Sequence, residues 1–185
     1  MSPRSAAELV ALADAGVQLE YLYFWGHRPA PDGSPGKGCL SQWWPVDLEV
    51  DGRTFASAEH WMMWRKAVLF DDAEAAERVL RAATPAEAKK IGAEVRGFRA
   101  AAWEAERFDV VVAGNVAKFT QHDDLRAVLL GTGSRVLVEA SPVDRIWGIG
   151  LAADDQRADD PTAWRGLNLL GFALMRVREQ LRDQR

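Results

Sequence analysis

Apolar residues recur along this chain at two spacings, and the change from one to the other predicts its elements. Residues 6–15 read as a short helix closed by Gly16, and 19–25 as an aromatic, strand-like run. The segment 26–38 holds Pro29, Pro31, Asp32, Gly33, Pro35 and Gly36 and reads as a loop. Between 46 and 57, two short alternating runs flank Asp51-Gly52, the pair that suits a tight hairpin turn with positive φ. Helical spacing follows over 58–70 and 72–83. Thr84, Pro85 and Glu87 then form a capping box that starts another helix. A long helix is predicted over 100–120, with Gly114 in its interior marking a close contact, and a shorter one over 123–130, stopped by Gly131. Residues 135–139 have strand character, 141–161 are irregular, and Leu170, Leu174, Val177 and Leu181 form the apolar stripe of a last helix over 167–182. This order predicts an α+β fold, helix-dominated, as a single domain over 1–185 with a small antiparallel sheet; residues 1–17 form an N-terminal extension.

One predicted helix carries charges where its neighbours are apolar. Trp61, Trp64 and Val68 define one side of 58–70 and Met62, Met63 and Phe70 another, so burial is expected almost all round. Glu59 and Lys66 share a face with Met62, Met63 and Phe70. Their separation of two turns is about 10.5 Å of rise, too far for an easy direct contact. Each charge therefore needs a partner from another segment, a wet cavity or a ligand. Structural ion pairing with lysine snorkelling competes here with a functional site.

Two further stretches hold candidate chemistry. In Ser141–Gly150, Asp144 could position a water or hold ribose hydroxyls, and Arg145 suits phosphate, beside Trp147 and Gly148. An Asx-type turn with a surface salt bridge explains the same residues equally well. Asn168 stands at a helix start, as an N-cap or first-turn residue, with Arg165 as a second anion candidate. Asn115, Lys118 and Gln121 place polar groups on the long helix, Lys118 reading as solvated or paired.

Composition narrows the field. The 185 residues carry a net charge of −4, so the general basic field of a nucleic-acid binder is missing. One cysteine, Cys39, excludes an internal disulfide, and His27, His60 and His122 show no ligand spacing, so no metal is expected. Without an apolar run long enough for a signal or a membrane span, the expected setting is cytoplasmic. Eight tryptophans are unusual for this length; most suit core filling, and one or two of those beside glycine or in loop-like sequence are candidate ligand platforms.

Read together, several segments resemble the NADAR (YbiA-like) family: Gly38–Pro45, with Ser41; Ser57–Met63; Lys66; Ala117–His122; Leu137–Ser141; Asp144-x-x-Trp147-Gly148; and Asn168–Gly171. The resemblance keeps segment order over roughly residues 21–181 and is poor over the N-terminal helix and the 26–38 loop. It implies an N-glycosidase, acting on phosphoribosylated pyrimidine intermediates of riboflavin synthesis or on ADP-ribosylated guanine of nucleic acid. It places Glu59, Lys66, Trp103, Asp144 and Trp147 in the active site and calls for no cofactor. Glu59 or Asp144 would supply acid–base catalysis. Lys66 would attack C1′ as a neutral amine, or as a cation bind phosphate or hold Glu59 ionised. The expected substrate-binding set is Arg28, Ser41, Trp103, Arg145, Trp147, Gly148 and Asn168, with Trp103 or Trp147 stacking on the base and Arg28 or Arg145 meeting phosphate. The expected partners are a small ribosyl-phosphate or ADP-ribosyl substrate and, on the second branch, ADP-ribosylated nucleic acid, with no membrane. The rival reading is a non-catalytic module that binds ADP-ribose or NAD.

Overall fold

The computed structural model describes residues 3–183. Its backbone gathers into two compact units, one from the described parts of Met1–Ser41 and Asp124–Arg185, the other from Gln42–Asp123. The second unit is thus a single insertion into the chain of the first. The architecture is α+β and rich in helix, as the pattern of apolar positions predicts.

In the first unit, β1 (Tyr21–Phe24) and β4 (Val136–Glu139) pair in parallel, from Tyr21 opposite Val136 to Phe24 opposite Glu139. A parallel pair needs a long crossover, and here the whole second unit lies within it. Val136, Leu137 and Val138 are all buried, the run of apolar residues that a strand covered on both faces requires. Helix α7 (Leu169–Asp183) packs on β4. Its predicted stripe is buried, and so are Phe172, Ala173 and Met175 between the stripe positions. The unit also contains α1 (Ala6–Asp14), α6 (Asp123–Gly131), which begins at the last residue of the other unit, and the short 3-10 turns Gly36–Leu40 and Pro161–Ala163. The first of those turns closes the end of the segment predicted as loop.

In the second unit, β2 (Leu48–Val50) and β3 (Arg53–Phe55) form the predicted antiparallel hairpin. Asp51 (φ 51°) and Gly52 (φ 72°) both adopt the left-handed backbone of a tight hairpin turn. Helix α2 (Ala58–Leu69) packs against α3 (Ala73–Arg81), α4 (Pro85–Ala93) and α5 (Ala100–Gln121). Residues 58–63 and Ala67 are buried, whereas Trp64, Arg65 and Lys66 are half-buried and Val68 is exposed, so burial all round holds only for the first half of α2. Gly114 explains how closely α5 approaches: a Cβ there would stand 2.2 Å from Trp61 Cδ1. Trp61 also donates its indole N–H to the Val110 carbonyl (2.8 Å) and meets Phe55 edge-on at 5.3 Å. The capping box forms with one variation. Thr84 Oγ1 accepts from the Glu87 N–H (3.2 Å), while the Glu87 carboxylate accepts from the N–H of Ala83 rather than Thr84 (2.8 Å).

Among the described residues, no helix is long and apolar enough to cross a membrane.

Candidate functional site

The structure distributes the ten predicted site residues over both units: Glu59, Lys66 and Trp103 in one, and the other seven in the other.

In the first unit the site is built where the two parallel strands end. Beyond β4, Ser141 Oγ accepts from the Asp144 N–H (3.2 Å). Asp144 Oδ1 then accepts from the N–H groups of Ile146 and Trp147, each at 2.8 Å. This is an Asx-type turn, as one of the two sequence readings has it. The expected salt bridge is absent: neither Asp144 nor Arg145 makes an ion pair among the described residues. Asp144 is half-buried, and its second carboxylate oxygen accepts no hydrogen bond from the described residues.

Five residues ahead of α7 and in its start clip this loop in place. Arg165 N–H donates to Ile149, Leu167 to Arg145, Asn168 to Gly148, Leu169 to Ile146 and Leu170 to Trp147, all between 2.9 and 3.2 Å. Two glycines permit the close approach. A Cβ on Gly166 would come within 2.3 Å of the Gly148 carbonyl oxygen, and one on Gly148 within 2.8 Å of the Glu139 carbonyl oxygen. Gly148 is buried by that packing. Trp147 is half-buried, and its indole N–H makes no hydrogen bond with the described residues.

Asn168 is wholly buried, at φ 52°. Its carbonyl accepts from Phe172 N–H, so it stands at the N-cap position, but its side chain does not cap the helix. Oδ1 accepts from Glu139 N–H (3.0 Å) and Nδ2 donates to the Leu137 carbonyl (2.9 Å), which fastens α7 to β4. Both ends of the amide are thereby taken up by backbone.

Arg28 and Arg145 are exposed, and neither guanidinium bonds to a described residue. The Arg28 backbone lies against Gly38, where a Cβ would stand 2.1 Å from its carbonyl oxygen, and Ser41 closes that 3-10 turn, buried, with its N–H on the Gly38 carbonyl (3.2 Å).

In the second unit, Glu59 sits in the first turn of α2, 3% exposed. Lys66 lies two turns on and is half-buried. Its Nζ donates to the Gly92 carbonyl in the last turn of α4 (2.7 Å) and stands 4.3 Å from the centre of the Phe98 ring. Burial pushes the Lys66 ammonium below the usual lysine range. Trp103, in the first turn of α5, is buried.

Three buried polar side chains belong beside these. Gln42 is 5% exposed, Asn115 is fully buried, and Lys118 is also fully buried, which excludes the solvated reading of that lysine. The signal in the sequence is the spacing: 110, 111, 114, 115 and 118 lie on one helical face, mostly apolar, so a polar residue there has to be buried.

A family model described as the NADAR domain matches residues 23–182. The N-glycosidase R617 of Acanthamoeba polyphaga mimivirus is 40% identical over 166 residues, covering 87% of this chain and 96% of that protein. The riboflavin biosynthesis protein VVA0006 of Vibrio vulnificus (strain YJ016) is 33% identical over 169 residues, 91% of this chain and 41% of that longer protein. The NMR structure of the E. coli protein YbiA matches with a TM-score of 0.70 at 28% identity, covering 91% of this chain and 89% of that one.

Proposed function

We propose that this chain, which belongs to the NADAR family, hydrolyses the bond between C1′ of a ribose and a base nitrogen in a phosphoribosylated or ADP-ribosylated base. The chain is an N-glycosidase, as its relative R617 is named over nearly the whole of both lengths. The observation that carries the chemistry is Glu59: a carboxylate 3% exposed, held on the first turn of a helix. Breaking this bond requires a proton for the departing nitrogen and stabilisation of positive charge at C1′. Glu59 is assigned the proton transfer. Asp144 has one oxygen fixed by its own loop and keeps the other for a water or the ribose hydroxyls. The guanidiniums of Arg28 and Arg145, unpaired among the described residues, suit phosphate, and Trp147 suits the flat face of the base. Ser41 and Gly148 shape the backbone of their turns, and Asn168 holds the loop rather than the ligand.

Lys66 keeps the covalent role. Burial favours the neutral amine, which donates to Gly92 and still carries a lone pair. Nζ would bond to C1′ as the C1′–N bond breaks and the base leaves with the proton from Glu59. One proton of the attached amine then returns to Glu59 and the other passes to the ring oxygen as the sugar opens to an imine. Water hydrolyses the imine, returning the amine and a ribose that keeps its phosphate or ADP group. Borohydride added during turnover should trap a protein–ribose adduct that vanishes in Lys66→Ala; turnover with no adduct would remove the covalent step.

Two substrates separate the branches: an aminouracil ribosylamine phosphate and an ADP-ribosylated guanine oligonucleotide. The relative named for riboflavin biosynthesis supports the first. Release of base from either, lowered about 100- to 10,000-fold in Glu59→Gln, is the expected result. Tight binding of ADP-ribose with neither substrate cleaved would favour the binding-module reading.

A further inference from the structure

A proton-transferring carboxylate works only if its position is fixed to a fraction of an ångström, and the first turn of a helix is where backbone is least tied down. The Glu59 N–H is one of the donors that α2 cannot satisfy internally. It donates to the Gln42 carbonyl (3.0 Å). Gln42 is itself fastened by its side chain, whose Oε1 accepts from Asn115 Nδ2 (2.7 Å). The same Nδ2 donates to the Val111 carbonyl (2.8 Å), one turn back along α5, so the asparagine is locked to its own helix. Residues 110, 111, 114 and 115 of α5 therefore hold α2 by Trp61, and hold Gln42, which precedes the β2–β3 hairpin, by its amide.

Stability alone does not account for this pair. Gln42 Nε2 and Asn115 Oδ1 are buried and have no hydrogen-bond partner among the described residues. Each leftover group has lost its water with nothing in return, and a half-satisfied amide pair is poorer for stability than an apolar one of the same size. What the pair does supply is a fixed address for the carbonyl that receives Glu59.

We propose that Asn115 and Gln42 are positioning residues for Glu59: Asn115 holds Gln42, and the Gln42 carbonyl sets the turn from which the carboxylate acts. This rests on the acid–base role assigned to Glu59. Asn115→Leu, close in size, removes the link without adding charge. It should lower kcat by about 10- to 100-fold with KM within about twofold, since a misplacement of the order of an ångström costs up to about 100-fold. Alone it leaves Gln42 Oε1 buried without its donor, so the melting temperature should fall, and Asn115→Leu combined with Gln42→Met should recover it. Gln42→Met, which keeps the backbone carbonyl and loses the side-chain amide, should behave alike, and the double variant should be no slower than either single one. It also serves as the test if Asn115→Leu does not fold. A folded variant with kcat unchanged, or a double variant that regains kcat along with its stability, would overturn the proposal. Glu59→Gln is run beside them: if it keeps full activity, the acid–base assignment has failed, whereas its loss with Asn115→Leu fully active condemns the positioning alone.

Discussion

His60, 2% exposed, lies between Ser57 Oγ, 2.7 Å from Nδ1, and the Ala82 carbonyl oxygen, 3.2 Å from Nε2. An oxygen that can only accept faces Nε2, so that nitrogen carries the proton, and Nδ1 is free to accept from the serine hydroxyl. The neutral ring is thus satisfied on both sides. Burial holds its pKa below the usual histidine value, and the Ala82 carbonyl and Glu87 only partly oppose this. The folded state therefore resists a proton that the unfolded chain takes up near pH 6.5. Stability is full above that pH and declines as the pH falls through it toward the folded value. The melting temperature of the wild-type protein should drop as the pH falls below about 6.5, and His60→Gln should flatten that slope. An equal slope in both would place the titration elsewhere. Asp72 enters later: Arg96 holds its carboxyl well below the usual carboxylate range, so its contribution is lost only below about pH 3.9. The sequence marks His60 only as a histidine beside Glu59. Its inertness comes from the Ala82 carbonyl, supplied by residues 22 positions away.

At the scale of elements, local rules carry far. The Asp51-Gly52 turn, the Thr84 cap and the stripe on α7 follow from neighbours in sequence and form as predicted. The parallel pairing of β1 with β4 does not follow, because the two strands are joined only through a whole inserted unit and no local pattern encodes their register. The left-handed Asn168 is equally hidden, since its reason is the β4 backbone that its amide grips. Asn168→Asp keeps the acceptor for Glu139 and sets an oxygen against the Leu137 carbonyl. It should cost about 1–3 kcal/mol in urea denaturation, more than a surface substitution does. Gly114→Val tests the other interface: a side chain aimed at Trp61 should destabilise by about 1–3 kcal/mol or more. Arg178 shows how α6 ends. It is buried and donates to Thr132 Oγ1 and the Arg135 carbonyl, while Arg135 and Arg182 reach the carbonyls of Gly131, Thr132 and Gly133. Three cations thus cover a helix C-terminus, where the dipole favours them. Burial and these like charges lower the Arg178 pKa to about 10, still charged at neutral pH.

For the whole molecule, charge decides how a polymeric substrate is held. A net charge of −4 supplies no general attraction to nucleic acid, so binding of an ADP-ribosylated strand falls to a few local cations. Arg28 and Arg145 are the two site guanidiniums without partners among the described residues. Each phosphate neutralised on a single strand adds about 0.7 to the slope of log affinity against log salt, so two contacts give a slope of about −1.4. A small ribosyl phosphate carries no such condensed counterions, and its KM should change far less with salt. The expected result is a shallow slope for the oligonucleotide, reduced by about half in Arg28→Gln or Arg145→Gln, with kcat retained. A steep slope that neither variant moves would mean that the strand is read by cations outside this site, and the two arginines would then lose their assignment to phosphate while Glu59 kept its own.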